Sequence, residues 1–107
     1  MTSDSFNYER NEVRIIGRVS ETSAKGILNG DKVIPVIFLT IVSKKRIVSG
    51  DTEYLETAVI PVTVMEAAPL IAAKEISVKD IVSVEGRIRT FGGDCKFDIY
   101  ATKIEKL

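Results

Sequence analysis

The residues of this 107-residue chain that could do chemistry are basic and aromatic, and they cluster. Arg87 and Arg89 stand two positions apart and run into Phe91-Gly92-Gly93, with Lys96 just beyond. Lys44, Lys45 and Arg46 form a triplet, with Tyr54 at the end of the polar stretch that follows. Arg14 and Arg18 alternate out of the first apolar segment, and Phe38 interrupts a run of β-branched residues. Guanidinium groups hold phosphates in a bidentate grip and also stack on planar rings, while aromatic side chains offer stacking platforms for bases. Together these residue types could hold anionic groups on the cations and planar rings on Phe38, Tyr54 and Phe91. Each has a plainer reading. A charge run is often a solvated loop. The arginines can pair across strands with Glu12, Glu85 or Asp98. Phe38 can lie under a partner subunit, Phe91 can tuck over its own core, and Tyr54 can pack at a hairpin tip.

Other chemistries lack their residues. There is no histidine, which removes His-based triads, acid–base pairs and His-ligated metals. The single cysteine, Cys95, cannot build a zinc cluster or an internal disulfide and suits a reducing cytoplasm. No Gly-rich phosphate loop and no patterned pair of carboxylates occurs, so no enzyme and no cofactor is expected. Fifteen basic and 15 acidic residues cancel, so any binding to nucleic acid must rest on local clusters rather than on a bulk field. The apolar runs are strand-sized and broken, which argues against a membrane span. Residues 1–10 are polar and acidic, unlike a secretory or transit signal, and read as a flexible arm carrying Phe6 and Tyr8.

The elements that must position the clusters read as five strands and a helix in one domain, residues 11–107. Val13 to Val19 alternates at strand period. Ser23 to Asp31 carries Asn29-Gly30, a hairpin signal. Val33 to Val42 is a buried strand with Ile37, Leu39 and Ile41 inward and Phe38 and Thr40 outward. Lys44 to Glu53 reads as an exposed loop. Leu55 to Met65 is a third strand in which Pro61 demands an edge or a bulge. A short helix follows from about Ala68 to Glu75, since Pro69 is tolerable only in a first turn. Asp80 to Thr90 is the fourth strand, Phe91-Gly92-Gly93-Asp94 a loop, and Asp94 to Leu107 the fifth strand, with Phe97 alternating into the core beside Ile99 and Ala101. Three strands, a helix and two more strands is the order of the all-β, five-stranded Greek-key barrel called the OB-fold, with its helix between strands three and four.

On these elements the chain resembles bacterial single-stranded DNA-binding proteins. NEVRIIGRV (residues 11–19) matches the opening strand, with Asn11, Val13 and Gly17 at the usual places. NGDKVIPVIFLTIVS (29–43) matches the second strand, and ISVKDIVSVEGRIRT (76–90) the fourth. The Pro61–Val64 stretch, the domain length and the ending YATKIEKL are also similar to the primosomal PriB proteins, small relatives of the same fold. The glycine-rich linker and acidic tail through which the larger family recruits repair partners are missing, so that role is not carried over.

The resemblance implies a cytoplasmic, homo-oligomeric protein, dimer or tetramer, that binds single-stranded DNA (RNA being the other ligand the fold handles) in replication or recombination. It also exposes a departure. The family's aromatic platforms fall here on Lys44, Val59, Met65 and Gly93, none of them aromatic, which implies either much weaker binding or binding rebuilt elsewhere. Phe38, Tyr54 and Phe91 are then the candidate platforms, and Arg14, Arg18, Lys44, Lys45, Arg46, Arg87, Arg89 and Lys96 the candidate phosphate contacts. Strand three presents an apolar outer face, Leu55, Val59, Pro61 and Met65, that either bases or a second subunit should cover. The alternative role is that of a PriB-like adaptor whose main partner is another replication protein.

Overall fold

The computed structural model describes residues 9–91 and 96–107, and the N-terminal arm up to Tyr8 and the loop residues 92–95 lie outside them. Five strands, β1 (Val13–Asn29), β2 (Lys32–Ser49), β3 (Thr52–Val64), β4 (Ile81–Phe91) and β5 (Lys96–Lys106), flank one helix, α1 (Ala67–Ala73), between β3 and β4. The strands close into a ring in the order β1-β2-β3-β5-β4, the expected OB-fold barrel. Closure is made by a short parallel contact, Val62 with Ile99 and Thr63 with Tyr100. Pro61 lies just before it, on a stretch of β3 that pairs only with β2. Its missing N–H therefore meets the edge position that a strand proline requires.

Period-2 alternation fills the barrel. Leu39 and Ile41 of β2, Val62 and Val64 of β3, Val82 and Val84 of β4 and Ile99 of β5 are all almost fully buried. Leu70 and Ala73 of α1 complete the same cluster. At Gly86 the ladder to β5 shifts register, and a Cβ there would collide with the Tyr100 carbonyl. Glycine is required at this point because two backbones touch. Next to the shift, the Asn11 side chain acts as one more strand residue. Its amide donates to the Ile88 carbonyl at 2.6 Å and its oxygen accepts from the Ile88 N–H at 2.9 Å.

Two expectations are corrected. Lys44 to Glu53 is not a loop. β2 and β3 continue in unbroken register from Ile37–Val64 out to Ser49–Thr52, turning at Gly50, whose φ of 61° suits a tight hairpin turn. The stretch is exposed on both faces, so it has no apolar alternation by which to reveal itself. Phe97 is not core: it pairs with Thr90 beyond the filled part of the barrel and is 40% exposed. Likewise β1 runs on past Val19 to Asn29, making a second long hairpin with β2 that turns at Gly30. These arms explain a radius of gyration of 16.5 Å, against about 13 Å for a compact chain of this length.

Candidate nucleic-acid interface

Between the arm of the β1–β2 hairpin and the ends of β4 and β5 lies a shallow groove. Its walls are Ile27 from β1, Phe38 from β2, Thr63 and Met65 at the end of β3, and Arg89, Thr90 and Phe91 from β4, with Asp98 at the base. Parity places Phe38 there: it faces outward across from Thr63 while Ile37 and Leu39 enter the core. Phe38 is half-buried, and the Lys25 ammonium stands 5.9 Å from its ring centre. Phe91 ends β4 with half its surface exposed. Two rings that are distant in sequence thus open on one groove, beside a guanidinium.

The floor of the groove is a polar network. Asp98, though buried, accepts from Arg89 through both carboxylate oxygens, at 3.0 and 2.8 Å, and from the Thr63 hydroxyl at 2.5 Å. Burial pushes the Asp98 carboxyl upward, but the Arg89 and Thr63 hydrogen bonds and the Arg89 charge outweigh it and hold the group below its ordinary range. The hydrogen bond to Asp98 in turn raises Arg89. Beside this network Tyr100 carries two cations: the Arg87 and Arg89 guanidinium carbons lie 4.4 and 4.7 Å from its ring centre. Such contacts are each worth about 0.5–1 kcal/mol at exposed sites. One arginine of the pair, Arg89, is thereby fixed by an acid, as cross-strand pairing with Asp98 predicts. Arg87 is held by the ring and stays exposed.

The other sequence candidates are dispersed. Lys44 and Arg46 share the outer face of the β2–β3 ribbon with Phe38, whereas Lys45 and Tyr54 belong to the opposite face. The triplet therefore does not act as one patch with Tyr54 beside it, which corrects the sequence reading. Arg46 is moreover ion-paired with Glu53 across the hairpin. Arg14 lies on the β1–β4 surface opposite Glu85, with its Nε 3.5 Å from the Ser83 hydroxyl. Arg18 donates to the Lys79 carbonyl at 2.8 Å and lines a separate cleft with Lys44. Lys96 is exposed opposite Phe91, at the near end of β5. Phe38, Arg87, Arg89, Phe91 and Lys96 are thus gathered at one end of the barrel, and the remaining candidates are not.

Sequence reasoning puts Tyr100 on the outer face with Lys96 and Asp98, as an interface or plain surface residue rather than a cation platform, and misses Lys25 and Ile27. The Tyr100 platform had a signal, because strand pairing sets it directly opposite Arg87. Ile27 had none, since the length of the β1 arm was not legible.

A closed five-stranded barrel with a groove between its β1–β2 and β4–β5 connections has the build of an oligonucleotide-binding fold, in which the β2–β3 face and those two connections take up the ligand. Solved structures agree with that class. The single-stranded DNA-binding protein of Plasmodium falciparum, solved in complex with single-stranded DNA, superposes with a TM-score of 0.75 at 19% identity over 92% of this chain and 96% of that one. The small single-stranded DNA-binding protein of Streptomyces coelicolor gives 0.69 at 19% identity over 92% and 95%. The PriB protein of Ralstonia solanacearum gives 0.66 at 9% identity over 92% and 98%. The resemblance seen in the strand motifs thus extends to the fold over nearly the whole chain. No family model and no curated protein matches the sequence.

Proposed function

We propose that this protein binds single-stranded DNA with little base preference, in replication or recombination. The observation that carries the proposal is the meeting of Phe38 and Phe91 with Arg89 in the groove on the β2–β3 side of an OB-fold barrel. Bases stack on the two rings, while Arg87 and Lys96 meet the phosphates and Arg89, tethered by Asp98, orders the floor. Little is offered that would read base edges, so sequence tolerance follows from stacking. The bound form is a cytoplasmic homo-oligomer. Leu55 and Val59, on the outer face of β3, are 64% and 62% exposed in the isolated chain, and a second copy would take them from water.

Titration of a fluorescent oligothymidylate at low and moderate salt tests this. Saturable binding at micromolar protein that weakens with salt is expected; its absence refutes the reading. One observation favours a second role. Arg46 and Arg89 are already neutralised by acids, and β3 is apolar outside, as an adaptor for another replication protein would require. Under that reading the titration stays flat.

A further inference from the structure

Two arginines leave the outer face of β4 beside the groove, and they are held in different ways. Arg89 is gripped by Asp98 through both carboxylate oxygens, which offsets its charge and engages two of its nitrogens. Arg87 has carboxylates in reach as well. Glu85 precedes it by two positions on the same face. The β1–β4 register, continued from Val13–Gly86 to Asn11 on Ile88, brings Glu12 alongside. Yet among the described residues Arg87 is in no ion pair. Its guanidinium carbon lies 4.4 Å from the centre of the Tyr100 ring instead.

The strand pairing delivers Tyr100 to Arg87. Between Glu85–Lys103 and Gly86–Ala101 the β4–β5 ladder skips Thr102, the register shift at which Gly86 lets the Tyr100 backbone come close. In the unshifted register Arg87 would stand across from Ala101; with the shift it stands across from Tyr100. On its other side Tyr100 pairs with Thr63 where the barrel closes, so its backbone is fixed by both neighbouring strands. Its half-buried side chain meets both arginines with the ring rather than the hydroxyl.

The two ways of holding an arginine leave it in different chemical states. A carboxylate occupies the N–H edge of the guanidinium and neutralises it. An aromatic ring takes only the flat face, so the edge donors and the full charge stay available. We infer that Tyr100 is a positioning residue of the DNA interface. It fixes Arg87 with its N–H edge free for a backbone phosphate, next to a groove whose other arginine is already neutralised. An exposed arginine side chain must otherwise be ordered when the phosphate binds, and that ordering weakens the contact. The inference rests on the proposed DNA binding and assigns the residue that prepares its phosphate contact.

A double-mutant cycle tests it. Parent, Tyr100→Leu, Arg87→Ala and the double variant are titrated with one oligothymidylate over a range of salt, with melting and sedimentation run alongside. Tyr100→Leu should bind about three- to tenfold more weakly, with a salt slope shallower by up to ~0.7, and Arg87→Ala should match it. The double variant should lose no more than Arg87→Ala alone, because Tyr100 acts through Arg87. Tyr100→Phe, which keeps the ring, should bind as the parent does. Three results would each overturn the inference: parent-like binding by Tyr100→Leu, a Tyr100→Leu loss undiminished in the Arg87→Ala background, or binding by Tyr100→Phe as weak as by Tyr100→Leu. A measurement on the parent covers the case in which Tyr100→Leu does not fold. Ring currents should shift the Arg87 δ-protons upfield in the NMR spectra of the parent and of Tyr100→Phe; ordinary shifts there would overturn the inference equally. If the parent itself does not bind, the DNA reading falls and this role with it. If parent and Tyr100→Leu bind equally well, the groove stands without Tyr100.

Discussion

Two arginine–carboxylate pairs on this barrel have the same chemistry and different value. At the tip of the β2–β3 hairpin Arg46 meets Glu53, both largely exposed. At the base of the groove Arg89 meets Asp98, whose side chain is only 6% exposed and which also takes the Thr63 hydroxyl. Exposed pairs are worth about 0–1 kcal/mol because water and salt screen them. A buried carboxylate stripped of its partner is left desolvated and uncompensated, at a cost of several kcal/mol. The difference shows which end of the molecule is built. The groove floor holds a fixed arrangement under two aromatic rings, whereas the hairpin is a ribbon carried on its own backbone hydrogen bonds.

That contrast can be broken by mutation. Arg89→Ala should destabilise the fold by about 2–4 kcal/mol in urea denaturation. Arg46→Ala should cost less than about 1 kcal/mol. Equal losses would erase the distinction between floor and ribbon. A smaller effect follows from acid. Because the folded Asp98 carboxyl is held below its unfolded value of about 3.9, its contribution is present at neutral pH. As pH falls through that range the unfolded state takes up the proton first, and the contribution is gone below the folded value. Stability measured from pH 6 down to 2 should therefore fall in the parent, and less steeply in Asp98→Asn. Identical pH profiles would remove Asp98 from the account. The smallest effect is expected at Lys45, on the ribbon face away from Phe38: Lys45→Ala should change oligothymidylate affinity by less than about twofold. A large loss there would place DNA on the wrong face of the hairpin.

Much of the barrel was legible because its strands obey period 2 around apolar residues. Phe38 could be turned outward from Ile37 and Leu39 alone, whereas the close approach of the Tyr100 backbone that requires Gly86 came only with the strand pairing. Legibility ended where burial ended. Lys44–Glu53 is strand without a core side, so its composition resembles a loop, and only the register with β3 separates Lys44 from Lys45. Phe97 has the right parity for the core and fails because the barrel is already closed beneath it. The meeting of Phe38 with Phe91 depends on ring closure, through which β4 and β5 come around to face β2. No local pattern encodes that distance.

The central claim is that the Phe38–Phe91 groove stacks bases. It is tested most directly by titrating the parent and the Phe38→Ala/Phe91→Ala double variant with the same oligothymidylate, after melting curves have confirmed that both are folded. Stacking is worth about 1–3 kcal/mol per base. The double variant should therefore lose at least about tenfold in affinity while keeping the parent's salt slope, since the phosphate contacts remain. Parent-like affinity in the double variant would contradict the account.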